Sequence, residues 1–123
     1  MKIRIYYEDT DTSGIVYHAN YIKYCERARS ERFFANALSP TQNGCHFVVK
    51  SIECDFLVSA KLGDWLEVRS KLVASKSASL ILNQSIYRDN VKLFDMNIVL
   101  VYVCGEGKIS KIPPHLKELL HNF

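Results

Sequence analysis

The chain has 123 residues, 48% of them hydrophobic and 24% charged, with 16 basic against 13 acidic side chains for a formal net charge of +3. That length supports one core, so a single domain over 1–123 is expected, and the charge is too mild to imply a nucleic-acid partner. The longest apolar run, Ile98 to Cys104, is too short for a transmembrane helix, and the N-terminus has no signal-peptide core, so a soluble cytoplasmic protein is expected.

Ile3 and Ile5 alternate with Lys2 and Arg4, which predicts a first strand over residues 2–8. A polar turn from Asp9 to Gly14 ends it. Asn20 is a good N-cap, and a helix is predicted from there to about Leu38, before Pro40. Tyr21, Tyr24, Cys25 and Ala28 fall at i, i+3, i+4 and i+7 and form its apolar stripe, while Arg27 and Glu31 stand at ion-pair spacing.

Beyond Gly44 the period changes to two. Ile52, Cys54 and Phe56 alternate with polar residues, as do Leu66, Val68 and Leu72, then Leu80, Leu82 and Ile86. The last strand, Met96 to Cys104, is apolar on both faces and is placed centrally in the sheet or at an interface. The polar breaks between these segments are short, so consecutive strands are expected to be antiparallel neighbours. Pro113-Pro114 opens a terminal helix with Leu116, Leu119, Leu120 and Phe123 on one face. One long helix has one stripe to bury, and a curved sheet wrapped around it satisfies that need in an α+β fold.

Cys25, Cys45, Cys54 and Cys104 form no C-x-x-C pair and have no histidine at zinc-site spacing, so four free thiols in a reducing compartment are expected. His46, His115 and His121 are scattered and make no metal set. No Gly-x-Ser-x-Gly elbow and no nucleotide-binding glycine loop occur.

The stretch from Tyr6 to Tyr21 is the most informative. Asp9-Thr10-Asp11-Thr12-Ser13-Gly14-Ile15-Val16-Tyr17-His18-Ala19-Asn20-Tyr21, followed by Tyr24-Cys25-Glu26-Arg27-Ala28-Arg29, resembles the N-terminal signature of hotdog-fold acyl-CoA thioesterases. The similarity is to the 4-hydroxybenzoyl-CoA thioesterase family, in its bacterial branch associated with the Tol-Pal cluster, and it covers residues 1 to about 110. The resemblance implies an antiparallel sheet around one long central helix, an acyl-CoA substrate, no metal or other cofactor, and a homo-oligomer (a dimer or a dimer of dimers, the homotetramer). Its acyl tunnel would lie at the subunit interface, and an acyl carrier protein is a further partner it admits.

Carried over residue by residue, the resemblance makes Asp11 the catalytic carboxylate, Gly14 the tight-turn glycine and the His18 N–H the group that polarises the thioester carbonyl. It also implicates the His18 side chain and Tyr7. The chemistry is sound: a carboxylate of ordinary pKa, about 3.9, is ionised at neutral pH and can attack a thioester or activate water. Backbone N–H groups at a helix start supply the oxyanion donors, each worth about 2.7–4 kcal/mol.

Plainer readings stand beside these. An Asp in an Asp-x-x-Gly turn commonly bonds its own backbone, and Tyr7 can be an ordinary strand aromatic. Asp9 and Glu8 read as turn or ion-pair groups. Glu26, on the helix, is the rival acid, and its plainer role is as partner to a nearby arginine. Lys50, Lys61 and Arg88 are candidates for the coenzyme phosphates, while Phe33, Phe34 and Phe56 are candidates to close the acyl tunnel. A dehydratase is disfavoured because His46-Phe47-Val48 lacks the proline of that context. The alternative from another class is a non-hydrolysing module that binds acyl groups or an acyl carrier protein, linked to phospholipid metabolism or the envelope complex.

Overall fold

The computed structural model describes residues 1–121. Strand β1 (Lys2–Arg4) leads through a 3-10 turn (Tyr7–Asp9) to helix α1 (His18–Phe34). Strands β2 (Cys45–Phe56), β3 (Trp65–Ser75), β4 (Ser79–Arg88), β5 (Val91–Cys104) and β6 (Lys108–Ile109) follow, and helix α2 (Pro114–His121) closes the chain. The sheet is antiparallel throughout, in the order β1-β3-β4-β5-β2, with β6 also paired to β5.

The first strand is shorter than its alternation predicts. Asp9 turns back to accept the Tyr6 N–H at 2.8 Å, and this hydrogen bond rolls residues 7–9 into the 3-10 turn instead of extending the strand. The long helix begins earlier than expected, with Tyr17 at the N-cap, and Asn20 is its third residue rather than its cap. It also ends earlier. Ala37 adopts φ 57°, the Leu38 N–H reaches back to the Phe33 carbonyl at 2.9 Å, and this left-handed stop takes the place that glycine usually fills.

The helix buries the predicted stripe of Tyr21, Tyr24, Cys25 and Ala28, with Phe33 beyond it. Leu66, Val68, Leu80, Leu82, Ile86, Phe94, Met96 and Ile98 meet it from the sheet, and Leu116, Leu119 and Leu120 close the far end. Phe123 lies outside the described residues. Strand β5 lies inside the sheet, flanked by β4 and β2, and buries Met96, Ile98, Leu100 and Tyr102 while Val99 and Val101 on its other face are half-buried.

Strands β3, β4 and β5 form the expected meander, but β2 does not pair with β3. It pairs with β5 instead, and residues 57–64 cross from one side of the sheet to the other. The crossing is held by the Leu57 N–H to the Leu93 carbonyl (2.8 Å) and by the Ala60 N–H to the buried Tyr21 hydroxyl (3.0 Å). This register places Cys45 opposite Cys104, and the two are joined as a disulfide across 59 residues of sequence. The expectation of four free thiols is therefore corrected: only Cys25, buried, and Cys54, half-buried, are free. Arg27 makes no ion pair with Glu31 among the described residues; its guanidinium lies 5.8 Å from the Tyr24 ring centre.

Candidate active site

The segment between the 3-10 turn and α1 folds as a small closed loop. The Asp11 N–H donates to the Ile15 carbonyl (2.9 Å), Thr10 bridges to Val16, and the Val16 N–H donates to the Ala60 carbonyl (2.9 Å). Gly14 sits at φ +79°, where a side-chain-bearing residue is strained, and its N–H returns to the Asp11 carbonyl at 3.0 Å. The half-buried Asp11 carboxylate accepts the Ser13 N–H through Oδ1 at 2.8 Å. The backbone-bonding role of an Asp in such a turn is thus present, and it occupies one oxygen.

Asp9 fastens this loop to the helix. Its carbonyl accepts both the Tyr17 N–H (3.0 Å) and the Asn20 side-chain amide (2.9 Å), while its carboxylate holds the Tyr6 N–H. The Tyr24 hydroxyl is buried nearby without a hydrogen bond of good geometry. Burial first, and the Asp9 carboxylate second, push its pKa well above the ordinary tyrosine value. The Asn20 contact carries a local signal, since a polar residue in the first helical turn faces back along the chain.

Helix α1 has no side-chain cap at Tyr17. His18 is its first residue, so the His18 N–H is one of the donors that a helix start leaves without an intrahelical partner. His18 and Tyr21 line a 160 Å³ cavity with Ile15, Val16 and residues 56–59. The His18 ring meets Tyr17 at 4.5 Å and stands edge-on to Phe56 at 6.2 Å between ring centres. Tyr21 stacks on Phe94 at 5.3 Å. An apolar wall beside uncapped backbone donors can seat a polar carbonyl at the end of an apolar group.

Neither Asp11 nor Gly14 lines this cavity; the loop joins Asp11 to it through the backbone hydrogen bond to Ile15, which does. Tyr7, in the 3-10 turn, is 85% exposed and lies outside the lining as well. Glu26 accepts the Ser30 hydroxyl at 2.8 Å and lines a different cavity, further along α1. Of the coenzyme candidates, Arg88 is held by Asp64 (2.7 Å) and the Ser59 carbonyl (3.3 Å), whereas the Lys50 and Lys61 side chains are exposed. Phe56 lines the His18 cavity, Phe33 lines the further one, and Phe34 is exposed. Among the described residues, no three His, Cys, Asp or Glu side chains could hold a metal ion, and no helix is long and apolar enough to cross a membrane.

Comparison with known proteins places this geometry. The sequence model of the thioesterase-like superfamily matches residues 6–120. The chain is 49% identical over 87 residues to the acyl-CoA thioesterase YbgC of Helicobacter pylori (strain ATCC 700392 / 26695), a match covering 71% of this chain and 65% of that protein, just under two thirds of its length. It is 35% identical over 128 residues to the acyl-CoA thioesterase YbgC of Haemophilus influenzae, covering 98% of this chain and 93% of that one. The crystal structure of a probable thioesterase from Bartonella henselae superposes with a TM-score of 0.86 at 28% identity, over 92% of this chain and 97% of the other. The antiparallel sheet and its long helix are the α+β hotdog fold, and the chain belongs to the thioesterase-like superfamily.

Proposed function

We propose that this protein hydrolyses acyl-CoA thioesters: acyl-S-CoA and water give a carboxylic acid and CoA-SH. The observation that carries the reading is the uncapped start of α1, where the His18 N–H stands beside an apolar cavity at the end of the Asp11–Gly14 loop. The thioester carbonyl sits against the His18 N–H, which stabilises the oxyanion as it forms. Asp11, with one oxygen committed to Ser13 and the other free to act, attacks the carbonyl or deprotonates the water that does. Gly14 gives the turn that lets the chain approach the substrate. The His18 ring and Tyr7 orient water or the substrate, and the CoA thiolate leaves with the proton that the water supplied. The reaction needs no cofactor. The same reading places the chain in the cytoplasm, with its acyl-CoA substrates.

A second copy of the chain completes the site. In support, β2 is an edge strand whose outer side has no partner strand among the described residues, and Val48, Val49, Phe56, Leu57 and Val58 are exposed along it and just beyond it. The protein acts as a dimer, paired further into a tetramer, and a monomer is inactive.

The test is thiol release from short, long and aromatic acyl-CoAs by the wild type and by Asp11→Asn. The expected result is turnover of at least one acyl class, with kcat about 10²–10⁴-fold lower in the variant, the range of a lost acid–base group. Undiminished turnover by Asp11→Asn would move the acid elsewhere, and Glu26 is the next candidate. No turnover of any CoA ester would favour the binding module or an acyl-carrier-protein substrate.

A further inference from the structure

Among the described residues, Arg29 has no counter-ion. It lies on α1 eleven residues after His18, three turns on and nearly on the same helical face, so about 16 Å along the axis. Its guanidinium is partly buried, and its Nη1 donates to the Oε1 of the buried Gln84 at 2.9 Å, a neutral partner. Among the described residues no carboxylate lies within ion-pair distance of it, and the carboxylate one turn back, Glu26, accepts the Ser30 hydroxyl. Burial depresses the Arg29 pKa, against the opposing influence of Cys25 and Glu26, as expected of a cation that has lost much of its water.

Arg29 lines a 290 Å³ cavity between the later half of α1, the start of β2 and the end of α2. Phe33, Phe47, Leu100 and Leu120 give it apolar walls, while Glu26, Thr41, His46 and Val49 are the exposed residues of its lining. A cation left without an anion in apolar surroundings is costly, and a planar guanidinium fits a carboxylate through two parallel N–H donors. The walls call for an apolar body behind that carboxylate. At the packing density of about 0.75 usual in interiors, the cavity holds on the order of ten heavy atoms.

We infer that the Arg29 cavity is a binding site for a medium-chain or aryl carboxylic acid, with the carboxylate on the Arg29 guanidinium and the hydrocarbon against Phe33, Phe47, Leu100 and Leu120. The site lies at the other end of the α1–β2 contact from His18, and it goes beyond the hydrolytic reading, since binding of a free acid here does not require Asp11 to act.

The probe is octanoate, labelled with carbon-13 at its carboxyl, with 1-octanol as the uncharged control, followed by calorimetry and by the carboxyl resonance. The expected result is saturable binding, one octanoate per chain, at least tenfold tighter than octanol. Arg29→Gln should weaken it tenfold or more, and Arg29→Lys, which keeps the charge and loses the paired donors, should fall between. Thr41→Trp fills the mouth from an exposed position without touching Arg29, so it keeps the test decisive where Arg29→Gln fails to fold; it should abolish binding. Equal affinity for octanol, binding that survives either Arg29→Gln or Thr41→Trp, or no saturable binding up to the solubility of octanoate would each overturn the assignment.

Discussion

Replacing Gln84 by methionine keeps the length of the side chain and strips both ends of its amide. In the wild type this residue is 0% exposed. Its Nε2 donates to the Cys25 carbonyl at 2.9 Å and to the Ser70 hydroxyl at 3.0 Å, and its Oε1 accepts from Arg29. Two neutral hydrogen bonds contribute about 0.5–1.5 kcal/mol each and the one to the charged Arg29 about 1.5–3 kcal/mol. Burying the thioether returns roughly 1–2 kcal/mol, so the net loss is about 3 kcal/mol. With an unfolding entropy of about 2.1 cal/mol/K for each of the 123 residues, that loss lowers Tm by about 12 °C. Thermal unfolding of the two proteins, followed by circular dichroism, reads the shift. A Tm within about 2 °C of wild type would refute the reasoning, because it would mean that water replaces all three partners at no cost.

Two further outcomes follow from the electrostatics and the thiols. Burial raises the Asp64 pKa, but the Lys61 N–H and the Arg88 guanidinium outweigh it and hold the carboxyl below its ordinary value. Its contribution is therefore complete above about pH 4, the unfolded value, and is lost as pH falls through the lower folded one. The gap in urea midpoint between wild type and Asp64→Asn should then close below about pH 4, and a gap unchanged down to pH 2 would show that the pair contributes nothing. For the thiols, burial pushes Cys25 up to about 12, so it is both covered and protonated at neutral pH. Iodoacetamide on the native, unreduced protein should label Cys54 alone, and a second label by mass spectrometry would contradict either the burial or the bridge.

The local parts of this fold were readable because local chemistry sets them. The stripe Tyr21-Tyr24-Cys25-Ala28 and the alternation from Leu66 to Ile86 carry their periods on their face, and the Asp11–Gly14 turn is spelled out by its residue types. Gln84 takes an inward place in the series Leu80, Leu82, Ile86, but its partners on Cys25, Ser70 and Arg29 come from tertiary packing. Pairing at a distance was not readable. Nothing in residues 57–64 says that they cross the sheet instead of turning back, and Cys45 meets Cys104 only once β2 has docked on β5. The helix limits were misplaced because Ala37 takes a left-handed turn that residue preference assigns to glycine, and because Tyr17 caps without a side-chain hydrogen bond. The Asp11–Gly14 loop was legible as a motif; where Tyr7 sits relative to the cavity depends on the Asp9 turn, which alternation conceals.

The long crossing after β2 also ties the Asp11 loop to one margin of the sheet. Val16 hangs on the Ala60 carbonyl and Ile15 bridges to Lys61, both within the crossing, while among the described strands β2 pairs with β5 alone. When the margin peels, the crossing slackens and the loop loses its moorings, so loop and strand open as one cooperative unit. Native-state hydrogen exchange should give the Asp11 and Val16 amides the opening free energy of β2 rather than that of the β3–β4 pair. Exchange at β3–β4 levels would uncouple them. With the coupling in place, whatever steadies the outer side of β2 also steadies the Asp11 carboxylate, without touching it.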